Sequence, residues 1–320
     1  MFFKLTVLVC LVVFKNDVFG HPSSVSGVEP TLELKPPDVS SHANLQLLPK
    51  DCGRIRKNLI SSDEKKVSLF EFPWMALAAH KYPNGNKFLC GGVVISDRYI
   101  LTVAHCFTDL DQESHPVESV RVGEYDLSST IDCETDADNK KICAPPALDV
   151  KVERIILHPH YKKGKFGDDI ALIRLASKIN FTDTLAAICL PVTQETSSYD
   201  FSGKKVLVTA FRLTEKGKNA TTPVKENIKY IDRSECNKIY DKMIHISHLQ
   251  MCAGGTDMIE TCGGDSGNAL QVVASVNGEQ RYVQHGITSL GPRTCGKHGR
   301  PAVYTRVSYY MDWILDNMSP

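Results

Sequence analysis

The sequence has no net charge, because 37 lysines and arginines balance 37 aspartates and glutamates over its 320 residues. It also lacks a basic block of the kind that binds nucleic acid or an anionic membrane surface. Beyond the N-terminus, no segment is apolar enough to span a bilayer. We therefore predict no nucleic-acid partner and no membrane association, for a chain long enough to bury a sizeable core.

The cysteines lack the CxxC spacing of metal-binding pairs, which argues against a structural zinc site. At the N-terminus, Lys4 precedes a short apolar run, and Val18 and Gly20 suit cleavage after Gly20. This pattern predicts a signal peptide over residues 1–20 and a secreted, extracellular protein. Of eleven cysteines, Cys10 would leave with that peptide, and the remaining ten would pair as disulfides in an oxidising compartment. Spacing alone leaves their connectivity open.

The next segment is rich in serine, proline and small polar residues, which predicts a flexible leader or propeptide over residues 21–58. Residues 59–320 then form the main domain. Asn180 and Asn219 each begin an Asn-x-Thr sequence, so both are predicted glycosylation sites on the surface.

Short apolar or alternating runs follow one another from Phe70 onward, separated by glycine, asparagine, aspartate and proline. This texture predicts an all-β sandwich or barrel. One helix is expected at the C-terminus, where five apolar residues recur at helical spacing. A stripe of this kind can bind a partner, but packing against the sheets is the favoured interpretation. The stripe consists of Val307, Met311, Ile314, Leu315 and Met318.

A candidate nucleophile, Ser266, lies between Asp265 and Gly267 in the segment ETCGGDSGNAL. Flanking glycines allow a tight bend that brings amide groups near a reacting carbonyl, although a glycine-rich surface turn is the alternative. A serine needs a base and an orienting carboxylate. His105 is the best base, although it could instead be structural, and Asp169 opens a buried strand where its charge needs a partner.

Several motifs together resemble the chymotrypsin/trypsin family of serine proteases. They are CGGVVISDRYILTVAHC, DDIALIRL, GGDSG and the closing PAVYTRVSYYMDWI, in the family's order over about residues 70 to 320. The segment EFPWMAL and the insert after GEYDL are similar to arthropod cascade proteases that carry a clip domain, although no clip domain is visible. The resemblance implies an all-β fold of two antiparallel six-stranded β-barrels with a C-terminal helix.

The resemblance also implies a mechanism and partners. Ser266 would attack the substrate carbonyl, His105 would transfer the proton, and Asp169 would orient the imidazole. The backbone N–H groups of Gly264 and Ser266 would form the oxyanion hole. A protease of this type requires no cofactor. Its partners would be a protein substrate, an upstream activating protease and a protein inhibitor, in an extracellular cascade such as innate immunity.

The specificity pocket implied by the resemblance consists of Glu260 at its floor with Ser289, Gly291 and Ala302 on its walls. A carboxylate at the floor favours Arg or Lys in the substrate. Glu260 is one methylene longer than the usual aspartate, Ala302 replaces a glycine, and Leu290 replaces a tryptophan. An alternative is therefore a catalytically weak or inactive homologue that acts as a regulatory binding scaffold.

Activation in the family pairs a new amino terminus with the aspartate before the nucleophile, here Asp265. The expected Ile-Val-Gly-Gly sequence is missing, since Leu59 and Ile60 are followed by two serines. Without a cationic partner, a buried Asp265 would be costly. The resemblance further allows calcium at Glu124 and Asp126 in a surface loop.

The resemblance also suggests how the ten cysteines pair. The pairs are Cys52–Cys189, Cys90–Cys106, Cys133–Cys143, Cys236–Cys252 and Cys262–Cys295. Of these, the first would tether the leader to the domain, the third would close the insert, and the last would brace the specificity pocket.

Overall fold

Short strands make up most of the regular structure in the residues that the computed structural model describes. Those residues are 34–56, 65–109, 114–135, 139–211, 220–241, 243–255, 266–291 and 300–320. Within them the strands close into two six-stranded barrels in which all neighbours are antiparallel. The predicted all-β fold is therefore confirmed.

The first barrel has the strand order β1-β2-β3-β8-β7-β4. Its strands are β1 (Met75–His80), β2 (Lys87–Val94), β3 (Tyr99–Thr102), β4 (Val117–Val122), β7 (Leu148–Leu157) and β8 (Ala171–Leu175). Between β4 and β7, a small hairpin of β5 (Cys133–Thr135) and β6 (Lys141–Cys143) carries the insert.

The second barrel has the strand order β10-β11-β14-β13-β12-β9. Its strands are β9 (Lys205–Ala210), β10 (Val224–Ile231), β11 (Gln250–Ala253), β12 (Ala269–Val276), β13 (Glu279–Leu290) and β14 (Ala302–Arg306). The β12–β13 turn contains Asn277 and Gly278, both at positive φ, which suits the right-handed twist of a tight hairpin.

Strand burial explains the sequence texture. All five residues of β8 are buried, as are all six of β1, so these strands read as continuous apolar runs. In contrast, β7 mixes exposed and partly buried residues with one buried residue, Val150, as expected for a strand with a solvated face. The buried apolar side chains of the first barrel's strands include Ile100 and Leu101, each fully buried.

Four α-helices occur in the described residues: α1 (His105–Thr108), α2 (Gln194–Ser197), α3 (Arg233–Tyr240) and α4 (Met311–Asp316). A 3₁₀ turn over Val307–Tyr310 leads into α4. Every member of the predicted C-terminal stripe is buried, which confirms that this helix packs on the core. None of the described helices has the length and apolar character needed to cross a bilayer.

Part of the predicted flexible leader is ordered against the domain. Val39 is buried, and a 3₁₀ turn over Ala43–Leu47 follows it. The side-chain amide of Asn44 donates to the backbone oxygens of Leu315 and Met318, at 2.9 and 3.0 Å. The disulfide at Cys52 fixes one end of the leader and so lowers the entropy lost when the leader is ordered. A few apolar and amide contacts then suffice to hold it. The polar composition of the leader does not reveal these contacts.

Candidate active site

Three side chains from distant parts of the chain form a continuous hydrogen-bonded series. His105 is the first residue of α1, Asp169 lies just before β8, and Ser266 lies in the turn before β12. The Nε2 atom of His105 is 3.0 Å from Oγ of Ser266, and its Nδ1 atom is 2.8 Å from Oδ2 of Asp169. An arrangement of this kind can accept a proton from the serine hydroxyl while the carboxylate fixes the imidazole tautomer.

Asp169 is held by more donors than the sequence analysis anticipated. The backbone N–H of His105 donates to its Oδ1 at 2.9 Å, and the Ser289 hydroxyl donates to its Oδ2 at 2.5 Å. The hydroxyl of Thr305 donates to its backbone oxygen at 2.7 Å. Since Asp169 is only 3% exposed, the donors from His105 and Ser289 to its carboxylate offset the cost of burying its charge.

The protonation of His105 is set by two opposing effects. Burial disfavours the charged imidazolium, whereas the hydrogen bond and the negative charge of Asp169 favour it. The second effect is the larger, so the pKa of His105 is raised above the ordinary histidine value. The same carboxylate would stabilise an imidazolium that forms during a proton transfer.

A glycine beside the serine allows the two barrels to meet at this point. Gly267 has φ of 86°, and a Cβ atom there would lie 2.1 Å from the backbone oxygen of Gly91 in β2. Next to it, the backbone N–H of Gly91 donates to the oxygen of Ser266 at 2.8 Å. The hydroxyl of Thr102 donates to the Gly91 oxygen at 2.8 Å. This close approach keeps Ser266 within reach of His105 and requires glycine at position 267.

The residues predicted for the walls of the specificity pocket are among the described residues, whereas the predicted floor residue is not. Ser289 and Gly291 lie at the end of β13, and Ala302 begins β14, where it is buried and pairs with Ala253. Leu290 is partly buried and packs on an apolar cluster of the second barrel. Several predicted residues lie outside the described residues: Glu260, Gly264, Asp265, Cys262, Cys295 and Asn219.

Four disulfides lie within the described residues, and they join the cysteines that the resemblance pairs: Cys52–Cys189, Cys90–Cys106, Cys133–Cys143 and Cys236–Cys252. The bond to Cys106 anchors the residue next to His105, which fixes the start of α1 against β2. The bond to Cys52 ties the leader to the domain. Asn180 is exposed, as a glycosylation site must be.

The loop predicted to bind calcium uses its carboxylates internally. Glu124 accepts hydrogen bonds from Arg121 and from the backbone of Tyr125, and Asp126 accepts from Ser128. Glu124 also has a raised pKa, because of burial and the nearby charge of Asp132. In the described part of the chain, no set of three acidic, histidine or cysteine ligands within 4.8 Å includes Glu124 or Asp126. Both carboxylates are thus engaged by donors of their own loop, and calcium binding at Glu124 and Asp126 stays a prediction.

Comparison with known proteins agrees with this geometry. The profile of the trypsin family, described as "Trypsin", matches residues 60–314. The chain belongs to the trypsin family of serine proteases. It is 38% identical to serine protease ea of Drosophila melanogaster over 88% of this chain and 73% of that protein. It is 35% identical to melanization protease 1 of the same organism, over 91% of this chain and 73% of that protein.

A solved structure extends the similarity to the fold. The crystal structure of the Drosophila Grass clip serine protease of the Toll pathway matches with a TM-score of 0.75 and 36% identity. The match covers 84% of this chain and 74% of that one. The family resemblance read from the motifs is thus confirmed, and so is the fold that it implied.

From the sequence, Ser289 was expected only in the substrate pocket, and Thr305 had no predicted role. Both donate hydrogen bonds to Asp169, from positions 120 and 136 residues away in the chain. No local pattern marks either residue, because a hydroxyl in a strand looks the same whether it faces solvent or a buried carboxylate. Only the path of β13 and β14 past Asp169 shows the contact.

Proposed function

We propose that this protein is a secreted serine endopeptidase, made as a zymogen, that cleaves after Arg or Lys in an extracellular cascade such as innate immunity. The observation that carries the proposal is the hydrogen-bonded series from Ser266 through His105 to Asp169. The separations of 3.0 and 2.8 Å are within the range that proton transfer requires.

In the proposed reaction, Oγ of Ser266 attacks the scissile carbonyl carbon and its proton passes to Nε2 of His105. Asp169 stabilises the imidazolium that results, and His105 then gives the proton to the leaving amine. Water repeats the sequence on the acyl-enzyme and releases the second product. The oxyanion would accept hydrogen bonds from the backbone of Gly264 and Ser266, each typically worth about 3 kcal/mol of transition-state stabilisation.

A preference for basic substrates rests on Glu260 at the proposed pocket floor, whose carboxylate would pair with an Arg or Lys side chain. The longer side chain of Glu260 and the buried methyl group of Ala302 would both reduce the space available. Hydrophobic pockets discriminate one methylene by about 1–3 kcal/mol, so the fit changes while the charge preference remains.

The cascade role rests on the relatives. The names of two of them refer to melanization and to the Toll pathway, and each aligns with more than four fifths of this chain. A role of this kind requires a protein substrate and an upstream protease that activates the zymogen, and a protein inhibitor would end its action. Secretion is proposed from the N-terminal pattern, and glycosylation at Asn180 and Asn219 from their sequences.

Turnover of short peptides that end in Arg or Lys tests the proposal, with the processed protein compared against its Ser266→Ala variant. The variant removes the nucleophile and leaves the substrate pocket in place, so it controls for contaminating proteases. We expect turnover by the first protein alone. Equal rates for the two proteins would refute the proposal, and N-terminal sequencing of the active form would locate the activating cleavage.

A second function, that of a binding scaffold without catalysis, is supported by the wall of the pocket. Leu290, where the family commonly has tryptophan, packs partly into an apolar cluster and offers no aromatic platform to a substrate. Covalent labelling by a peptidyl phosphonate distinguishes the two functions, because only an activated Ser266 reacts. Labelling of the processed protein, but not of Ser266→Ala, would exclude the scaffold function.

A further inference from the structure

A second cluster of reactive side chains lies beside the candidate active site and takes no part in the proposed reaction. It consists of His158, His160 and Asp168, whose potential ligand atoms all lie within 4.8 Å of one another. We call these three residues the His–His–Asp cluster. Asp168 directly precedes Asp169 in the chain, so the cluster is covalently adjacent to the carboxylate that orients His105.

The backbone brings the three residues together from two segments. His158 follows β7, and its N–H donates to the oxygen of Ile170 at 3.2 Å, which fixes it next to the segment that carries Asp168. His160 is two residues further, across Pro159, in a turn closed by the N–H of Tyr161 donating to the oxygen of His158. Both histidines are therefore held on the same side of one tight turn.

A hydrogen bond fixes the carboxylate of Asp168. Its φ is 55°, in the left-handed region, which aspartate adopts more readily than most residues with a Cβ atom. The hydroxyl of Tyr310, in the 3₁₀ turn before α4, donates to Oδ1 of Asp168 at 3.0 Å. Carboxylate ligands of metals are usually hydrogen-bonded in this way.

One distance in the cluster is close to the separation of two ligands in a metal site. Nδ1 of His158 lies 3.7 Å from Oδ1 of Asp168, whereas two ligands of a tetrahedral zinc ion are about 3.3 Å apart. The same Nδ1 accepts a 3.4 Å hydrogen bond from the backbone N–H of His160, so in this tautomer it presents a lone pair. A metal ion would replace this long hydrogen bond with a stronger interaction.

Packing orients the imidazole of His158, and the ring of His160 contacts it edge-on, with centroids 5.4 Å apart. The ring of His158 contacts the rings of Tyr310 and Trp313, with centroids 5.3 and 5.1 Å away, and its side chain is only 10% exposed. His160 is exposed, so a rotation of its side chain can bring the third ligand closer at little cost. Asp312 also interacts electrostatically with His158 and adds a second negative charge near the cluster.

A simple ion pair between a protonated His158 and Asp168 is the alternative explanation. It accounts for His158 and Asp168, whereas His160 is also held by an edge-on contact of its ring with that of His158, with centroids 5.4 Å apart. Zinc titration separates this packing from a metal site, because packing alone binds no ion. The other histidine-containing group, at His105, is not a metal site, because its two cysteines, Cys90 and Cys106, are joined in a disulfide. Two imidazoles and one carboxylate suit zinc and similar transition metals rather than calcium or magnesium, which prefer oxygen ligands.

We infer that the His–His–Asp cluster binds a divalent transition metal ion of the zinc class. Three protein ligands leave at least one coordination position for water. The inference does not depend on the proposed proteolytic function, since ligand geometry alone carries it.

Isothermal titration of the full-length chain with Zn²⁺ tests the inference. The protein carries Ser266→Ala, which prevents self-cleavage and makes the result independent of activity. We expect saturable binding of one equivalent, and an affinity at least about tenfold lower in His160→Ala, because a ligand is lost. Asp168→Asn should weaken binding similarly. The matched control is His245→Ala, which removes an exposed histidine elsewhere and should leave the affinity unchanged.

Cobalt substitution gives a second measurement. Co²⁺ bound by imidazole and carboxylate ligands should produce visible absorption bands that disappear in His160→Ala. Retained circular dichroism in that variant would show that its fold is intact, as the exposure of His160 leads us to expect. The inference is overturned if the parent protein shows no saturable zinc binding, or if His160→Ala and His245→Ala bind zinc as the parent does.

Discussion

Replacement of Gly267 by alanine is the substitution whose consequence the structure defines most directly. The new Cβ atom would lie 2.1 Å from the oxygen of Gly91 and 2.5 Å from Oγ1 of Thr102. Both atoms belong to the first barrel, whereas Gly267 immediately precedes the second barrel's β12. The overlap can therefore be relieved only by moving Ser266 away from the barrel that carries His105.

The size of the effect follows from two contributions. Holding alanine at a φ of 86° costs about 1–2 kcal/mol. Separating the overlapping atoms also disrupts the hydrogen bonds from Gly91 N–H to Ser266 and from Thr102 to Gly91, each worth about 1 kcal/mol. We expect the free energy of unfolding to fall by about 3–4 kcal/mol. A displacement of Ser266 by about 1 Å would lower kcat/KM by about a hundredfold.

Gly278→Ala is the matched control. Gly278 has a similar φ of 82° in the β12–β13 turn, but a Cβ atom there would meet nothing within 4 Å. It should therefore show the backbone cost of about 1–2 kcal/mol alone, with unchanged kcat/KM. The difference between the two variants isolates the contact between the barrels.

Urea unfolding of the oxidised proteins, followed by tryptophan fluorescence, measures the stability part of this prediction. Trp74 is fully buried just before β1 and packs against Tyr282 of β13, so its fluorescence reports on unfolding of the contact between the barrels. Peptide turnover measures the activity part. The reasoning is refuted if the free energies of unfolding of Gly267→Ala and Gly278→Ala agree within about 0.5 kcal/mol, which is the range of ordinary surface substitutions.

Three further predictions concern charges and hydrogen bonds near the same core. The pKa of His105 is raised, and only its neutral imidazole can act as a base. The enzyme should therefore lose activity as the pH falls through a value above 6.5. Asp169→Asn should shift this limb of the kcat/KM profile to lower pH. Ser289→Ala removes a hydrogen bond to a buried carboxylate and should lower kcat about tenfold with little change in KM, in steady-state peptide assays. Lys225 and Glu71 form a buried ion pair at 2.6 Å. Lys225→Met leaves the charge of Glu71 buried without a partner and should lower the free energy of unfolding in urea by about 3–5 kcal/mol. Adding Glu71→Leu removes that charge and should restore most of the loss. A double variant no more stable than Lys225→Met would contradict the last prediction.

The site depends on features of two kinds, as these variants show. Ser266, His105 and Asp169 contribute reactive groups, and their identities are visible in the sequence. Gly267, Ser289 and similar residues contribute no reactive group but fix where the reactive ones lie. Their substitution should therefore change rates through the position of the reactive groups.

The sequence by itself determined the fold class and the three reactive side chains. Alternating and continuous apolar runs are local properties of strands, so they predict an all-β domain before any strand is paired. Short motifs around His105, Asp169 and Ser266 likewise carry their signal within a few residues. Burial of the C-terminal stripe from Val307 to Met318 could also be predicted from the sequence, because apolar residues at helical spacing share one face of a helix.

Only the tertiary structure decided which distant atoms support those groups. The hydroxyls of Ser289 and Thr305 meet Asp169 across more than a hundred residues of chain, through strand pairings that no local pattern specifies. The need for glycine at 267 became clear once β2 was placed against the turn. The packing of residues near Asn44 on α4 and the convergence of the His–His–Asp cluster have the same origin. Apolar periodicity determines which residues are buried, but the register of the barrels determines which buried and half-buried groups touch.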